Sequence, residues 1–305
     1  MSKPSLHKLI SVLGCLLLVA TVGCQGALSR QNDKPAPVVA KVPATPDQLP
    51  VAENPPIAGS IPHDTNAFTQ GFLFLDGKLY EGTGRVGQSR IRALNPDSGA
   101  VETEAAAPEE VFGEGLAFLD GLFYQLTWQS GVCLVYDRQL EFQKQLLYGT
   151  EGWGLTADPE KRQLIYSDGS STIRFVDPNN LVTQRKIEVT DGNGRKVSQL
   201  NELEWVRGEL WANVWMSDVV CRIDPATGKA LGWIKFTDLV KQNQTSNEDV
   251  LNGLAYDPDS DTLWVTGKLW PNIYKVEKIS ETLLETDTGV KPPDKPQTGS
   301  PSPAR

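Results

Sequence analysis

Ten polar or aromatic residues are candidates for chemistry, and they fall into two sets at matching positions of a repeat. The first is Gln70, Glu114, Trp153, Glu202 and Asn252. The second is Glu81, Gln125, Ser167, Asn213 and Thr266. Carboxylates, amides and hydroxyls of this kind can move protons and hold a carbonyl oxygen as it gains charge. The same groups can instead hydrogen-bond neighbouring repeats and hold a closed ring together. Trp128, Trp153, Trp215 and Trp270 lie just past strand two or at the start of strand one, as walls for a small amide-bearing ligand. Trp205, Trp211, Trp233 and Trp264 read as packing between repeats.

Several chemistries have no residues to run them. The chain has 2 histidines, His7 and His63. His7 lies in a segment expected to be removed, so neither a His-based triad nor a zinc cluster can be assembled. His63, in Pro62-His63-Asp64, reads as a structural hydrogen-bonding residue. No phosphate-cradling glycine loop or nucleophile elbow is present. The expectation is chemistry on carboxylate, amide and amine groups, with no cofactor and no metal. A formal net charge of -9, more acidic still without Lys3 and Lys8, argues against nucleic acid as a partner.

The elements that position these residues are strands. Phe68–Phe74 and Leu79–Gly84 flank Asp76-Gly77, a strong hairpin signal. The unit recurs five times, with turns at Asp76-Gly77, Asp120-Gly121, Glu160-Lys161, Arg207-Gly208 and Asp259-Ser260. Third strands end at Asn95, Asp137, Asp177 and Asp224, which stand 42, 40 and 47 residues apart. Four strands per repeat at that period mark an all-β, five-bladed β-propeller. The fifth unit has three clear strands, so a segment near Val51 to Ile61 is expected to close the ring and remove an exposed edge. A short helical turn near Thr237 to Gln242, with Thr237 as its cap, is the expected exception to strand.

The flanks differ in composition. Lys3 and Lys8, the apolar run Leu9 to Ala20 and the small residues before Cys24 read as an export signal, residues 1–23. The run is short of the ~20 residues that span a bilayer. Thr21-Val22-Gly23-Cys24 is similar to a lipobox, which makes Cys24 the lipid attachment point and possible membrane tether; plain secretion is the alternative. Residues 24–56 read as a linker, 57–279 as the propeller and 280–305 as a Pro-rich tail. Cys133 and Cys221 belong to non-adjacent repeats and read as buried free thiols. The expected state is a monomer in the periplasm or cell envelope.

A set of ordered motifs resembles one family. These are Pro62-His63-Asp64, Phe68-Thr69-Gln70-Gly71, Tyr80-Glu81-Gly82-Thr83-Gly84, Glu151-Gly152-Trp153-Gly154, Leu200-Asn201-Glu202-Leu203-Glu204-Trp205, Ala212-Asn213-Val214-Trp215 and Leu251-Asn252-Gly253. The chain resembles the plant and bacterial type of glutaminyl-peptide cyclotransferase over residues 63–276. The resemblance implies a five-bladed propeller that cyclises N-terminal glutamine of peptides to pyroglutamate and releases ammonia without a metal. It implies Glu81 as the catalytic carboxylate, its pKa raised by burial among tryptophans. It also implies Gln70, Trp128, Trp153, Asn201, Trp215 and Lys268 as the substrate-binding residues. Two other readings stay open: a non-catalytic propeller that binds peptides or an envelope partner, and a calcium-dependent lactonase-like propeller.

Overall fold

The computed structural model describes residues 49–284. Five antiparallel sheets are arranged as blades, each with its first strand innermost. Blade 1 holds Thr69–Leu75, Lys78–Thr83, Arg90–Leu94 and Val101–Ala106. Blade 2 holds Gly113–Leu119, Leu122–Thr127, Val132–Tyr136 and Phe142–Leu147. Blade 3 runs from Leu155–Asp158 through Gln163–Tyr166 and Thr172–Val176 to Thr183–Glu188. Blade 4 runs from Leu200–Val206 through Glu209–Val214 and Val219–Ile223 to Ala230–Lys235. Blade 5 holds Leu251–Asp257, Thr262–Gly267 and Asn272–Glu277.

Local chemistry explains the repeat. Asp76 and Gly77, Asp120 and Gly121, and Arg207 and Gly208 all have positive φ, the conformation of a two-residue hairpin turn that follows the strand twist. At the ends of the third strands, Asn95, Asp137, Asp177 and Asp224 each accept the backbone N–H two residues on. That side-chain bond substitutes for a backbone turn bond, which is why Asn or Asp recurs there.

Packing follows the seams between blades. Five apolar clusters fill the five seams, for example Leu73, Ile91, Leu116, Phe123 and Leu134 between blades 1 and 2. The first strands meet closely around the axis. A Cβ at Gly115 would overlap the Leu155 amide, and one at Gly154 the Asn201 carbonyl. This is the reason a small residue follows the polar one at the start of these strands. The fourth strands of blades 1 and 2 are mostly exposed. Cys133 lies in the seam of blades 2 and 3 and Cys221 in that of blades 3 and 4, both buried.

The N-terminal segment closes the ring, with a division of labour. Gly59–Pro62 pairs antiparallel with Asn272–Glu277 as the outer strand of blade 5, and Ile61 joins the seam of blades 5 and 1. Val51–Glu53, inside the stretch expected to be linker, instead adds a fifth, parallel strand to the edge of blade 4, Val51 opposite Trp233. At the other end, Ser280–Leu284 forms a helical turn that buries Leu283 against blades 4 and 5. The helix Thr237–Asn243 is present, but its N-cap residue is Phe236. The Thr237 hydroxyl bonds Asp218 instead of capping.

Candidate active site

The two polar registers separate in space. All five residues of the second set are fully buried. Gln125 of blade 2 donates to the Arg90 carbonyl of blade 1 at 3.2 Å. Ser167 of blade 3 donates to the Asn201 carbonyl of blade 4 at 2.7 Å, and Asn213 of blade 4 accepts from the Gly253 amide of blade 5 at 3.1 Å. Thr266 donates to the Asn272 carbonyl at 3.1 Å. Three of these bonds cross between blades and the Thr266 bond lies within blade 5; Gln125 Oε1 and Asn213 Nδ2 have no partner among the described residues.

Glu81 belongs to the same buried layer. Its Oε1 accepts from Thr69 Oγ at 2.6 Å and from His63 Nε2 at 3.0 Å. Its Oε2 accepts from Arg92 Nε at 2.8 Å, and Arg92 Nη1 reaches on to Asp64 at 3.0 Å. His63 Nδ1 donates to the Trp270 carbonyl at 2.8 Å. Burial alone would raise the Glu81 pKa, but the charges of His63 and Arg92 and the bonds from His63 and Thr69 overcome it and hold the carboxyl down to about 2. The expected environment, a tryptophan-walled pocket that raises this pKa, is therefore reversed. Glu81 is a fixed anion that joins the ring-closing segment to blade 1.

A different carboxyl occupies the mouth. Glu114, on the first strand of blade 2, is 5 % exposed and accepts Gln70 Nε2 at 3.1 Å. Asn252 Nδ2 in turn contacts Gln70 Oε1 at 3.4 Å and donates to the Thr69 carbonyl at 3.0 Å, which fixes the Gln70 amide. Burial pushes the Glu114 pKa well above the carboxylate range; Lys268 opposes this and Glu151 adds to it. Burial likewise lowers the Lys268 ammonium to about 8, with Glu114 pulling it back up. The Lys268 Nζ lies 4.7 Å from the Phe68 ring centroid and Arg85 lies 4.6 Å from it, so Phe68 carries two cations.

An arc of aromatics runs from Phe68 around the mouth. Phe68 meets Phe112 edge-on at 6.0 Å, and Phe112 meets Trp128 at 5.8 Å. Trp153 meets Trp215 at 5.7 Å. Gly169, at positive φ, lies under the Trp153 ring where any Cβ would clash. Asn201 is buried, with its Oδ1 unpartnered among the described residues. An unpaired buried amide oxygen is costly, and a ligand that donates to it removes the cost.

Of the residues implied by resemblance, contacts thus link Lys268 through Phe68 and Phe112 to Trp128, and Trp153 to Trp215. Gln70 joins Glu114, and the Asn201 carbonyl meets Gly154, the residue after Trp153. Trp270, expected at the mouth, is fully buried and donates to the Asp249 carbonyl. Glu202 accepts the Leu254 amide across the seam of blades 4 and 5, and Asn252 donates to the Thr69 carbonyl as well as meeting Gln70. Phe68 and Phe112 have no role readable from sequence, and Glu114 only its register and a bias against acidic peptides. The usable signal was that register: Glu114 occupies in blade 2 the place of Gln70 in blade 1.

Fold and site define a five-bladed propeller with a buried acid, an amide and an amine at an aromatic-walled mouth. A family model described as glutamine cyclotransferase matches residues 33–278. Glutaminyl-peptide cyclotransferase of Arabidopsis thaliana is 40% identical over 227 residues, which cover 72% of this chain and 70% of that protein. The crystal structure of Myxococcus xanthus glutaminyl cyclase matches with a TM-score of 0.69 at 35% identity, over 75% of this chain and 98% of the other. The chain belongs to the glutamine cyclotransferase family.

Proposed function

We propose that this chain cyclises the N-terminal glutamine of peptides to pyroglutamate, with Glu114 as the carboxylate that moves the proton. The observation that carries the assignment is a buried carboxyl with a raised pKa, held by Gln70 and facing Lys268 inside an aromatic wall. The α-nitrogen must lose a proton, bond to the γ-carboxamide carbon and expel the amide nitrogen. Ionised Glu114 accepts that proton from the attacking nitrogen. It then returns it to the departing nitrogen as the C–N bond breaks and ammonia leaves. One group serves both steps because burial raises its pKa above the ordinary carboxylate value, which makes the carboxylate a stronger base for the amine proton.

The remaining groups orient and stabilise. Lys268 offers a positive charge to the carboxamide oxygen as the tetrahedral intermediate forms. Asn201 Oδ1 accepts from the substrate amide. Trp128, Trp153, Trp215, Phe68 and Phe112 enclose the flexible glutamine side chain, which must fold back on its own amine. The mechanism is metal-independent, and its test is chelator-resistant ammonia release that Glu114→Gln abolishes.

The proposal extends to location. Lys3, Lys8, the run Leu9 to Ala20 and Thr21-Val22-Gly23-Cys24 support export and lipidation at Cys24. These positions lie outside the described residues, as does the tail beyond 284. Incorporation of labelled fatty acid that is lost in Cys24→Ala tests the tether; equal labelling of both would leave plain secretion.

A further inference from the structure

The loop that joins blade 2 to blade 3 carries an exposed carboxylate at the mouth, Glu151, that the chemistry above does not use. Its Oε2 accepts from the indole Nε1 of Trp128 at 3.2 Å and from that of Trp153 at 3.4 Å. Its Oε1 accepts from Gln129 Nε2 at 3.1 Å. Trp153 lies in the same loop two residues on, Trp128 follows the second strand of blade 2, and the Gly152 amide bonds the Trp128 carbonyl at 3.2 Å. Trp128 is 39 % exposed, so packing alone leaves its ring free to turn. An indole N–H is a donor with a single direction, and two aimed at one oxygen fix both rings.

We propose that Glu151 is a positioning residue that locks the Trp128 and Trp153 walls in the orientation the folded glutamine side chain needs. It rests on the reading of the mouth as the cyclisation pocket. Glu151 bridges the one break in the aromatic arc, between Trp128 at its Phe68–Phe112 end and Trp153 at its Trp215 end. Its carboxylate takes no part in proton transfer. Its effect is on how well substrate is held in the reactive fold.

The test compares Glu151→Ala with Glu151→Gln in the full chain. Glutamine keeps an oxygen for both indoles, and Gln129 can turn its amide to accept from the new Nε2. Near-UV circular dichroism reads the tryptophan arrangement independently of activity. Glu151→Ala should weaken the tryptophan bands and raise KM about tenfold, with a smaller change in kcat, as loss of charge-assisted hydrogen bonds predicts. Glu151→Gln should keep the bands and stay within about threefold of the wild type. A wild-type spectrum and KM in Glu151→Ala would overturn the inference, and so would equal damage in both variants. Absence of ammonia release from the wild-type protein would instead sink the cyclisation reading and leave the spectroscopic arm to judge Glu151.

Discussion

Gln70 donates its side-chain amide to Glu114 at 3.1 Å, from the first strand of blade 1 to the first strand of blade 2. The residue before it, Thr69, turns the other way and donates to Glu81 at 2.6 Å. Successive strand residues face opposite sides. One dipeptide therefore separates a buried anion that holds the ring from a buried acid that faces the mouth.

Loss of the Glu81 charge should be felt as instability. Glu81→Gln leaves Arg92 and His63 without their shared carboxylate, and removal of one partner from a buried ion pair costs about 3–5 kcal/mol. The folded pKa of about 2 lies below the ordinary 4.5, so the contribution is complete above the ordinary value and disappears as pH falls toward 2. Thermal melts of both proteins should differ most near neutrality and converge in acid. A gap that widens in acid would contradict this placement.

The pH dependence of kcat/KM should be bell-shaped. Activity should fall in acid as Glu114 takes up a proton, at a pH well above the ordinary carboxylate range, and in alkali as Lys268 loses its own near 8. The limbs belong to a coupled pair. Lys268→Met removes a charge that favours ionised Glu114, so the acid limb should move up while the rate falls about 10- to 100-fold. An acid limb near 4.5 that ignores Lys268→Met would count against Glu114.

Closure of the ring should depend on the strand at residues 59–62 far more than on the one at 51–53. Deletion through residue 55 removes a three-residue parallel edge and should lower Tm by a few degrees. Deletion through residue 63 also removes the outer strand of blade 5, Ile61 from its seam, and His63 from Glu81. That protein should be aggregated or unfolded. Equal melting of the two truncations would refute the division.

Most of the fold was legible because its signals are local. Asp-Gly turns, Asn or Asp at the third-strand ends and alternation within strands each reflect the chemistry of a few residues. The helix near Thr237 was also visible, though its cap was not, since Thr237 is claimed by the distant Asp218. The different surroundings of Glu81 and Glu114 were hidden for the same kind of reason. Both lie on apolar-flanked strands at repeat positions, and the difference is set by partners up to 44 residues away, with His63 and Arg92 on one side and Gln70 on the other. The segment near Val51 to Ile61 reads as one closing strand for blade 5; the separate pairing of 51–53 with blade 4 was not legible because three residues in a proline-rich stretch carry no periodicity.

Ammonia release from a glutamine-initiated dipeptide, with and without chelator, tests the central claim most directly when three proteins are compared. The wild type should release ammonia with or without chelator. Glu114→Gln should fold normally yet lose about 100- to 10,000-fold in kcat. Glu81→Gln, assayed at a temperature where it is folded, should keep most of its turnover per folded molecule. A folded Glu81→Gln without activity beside an active Glu114→Gln would contradict the account and return the proton transfer to the buried anion.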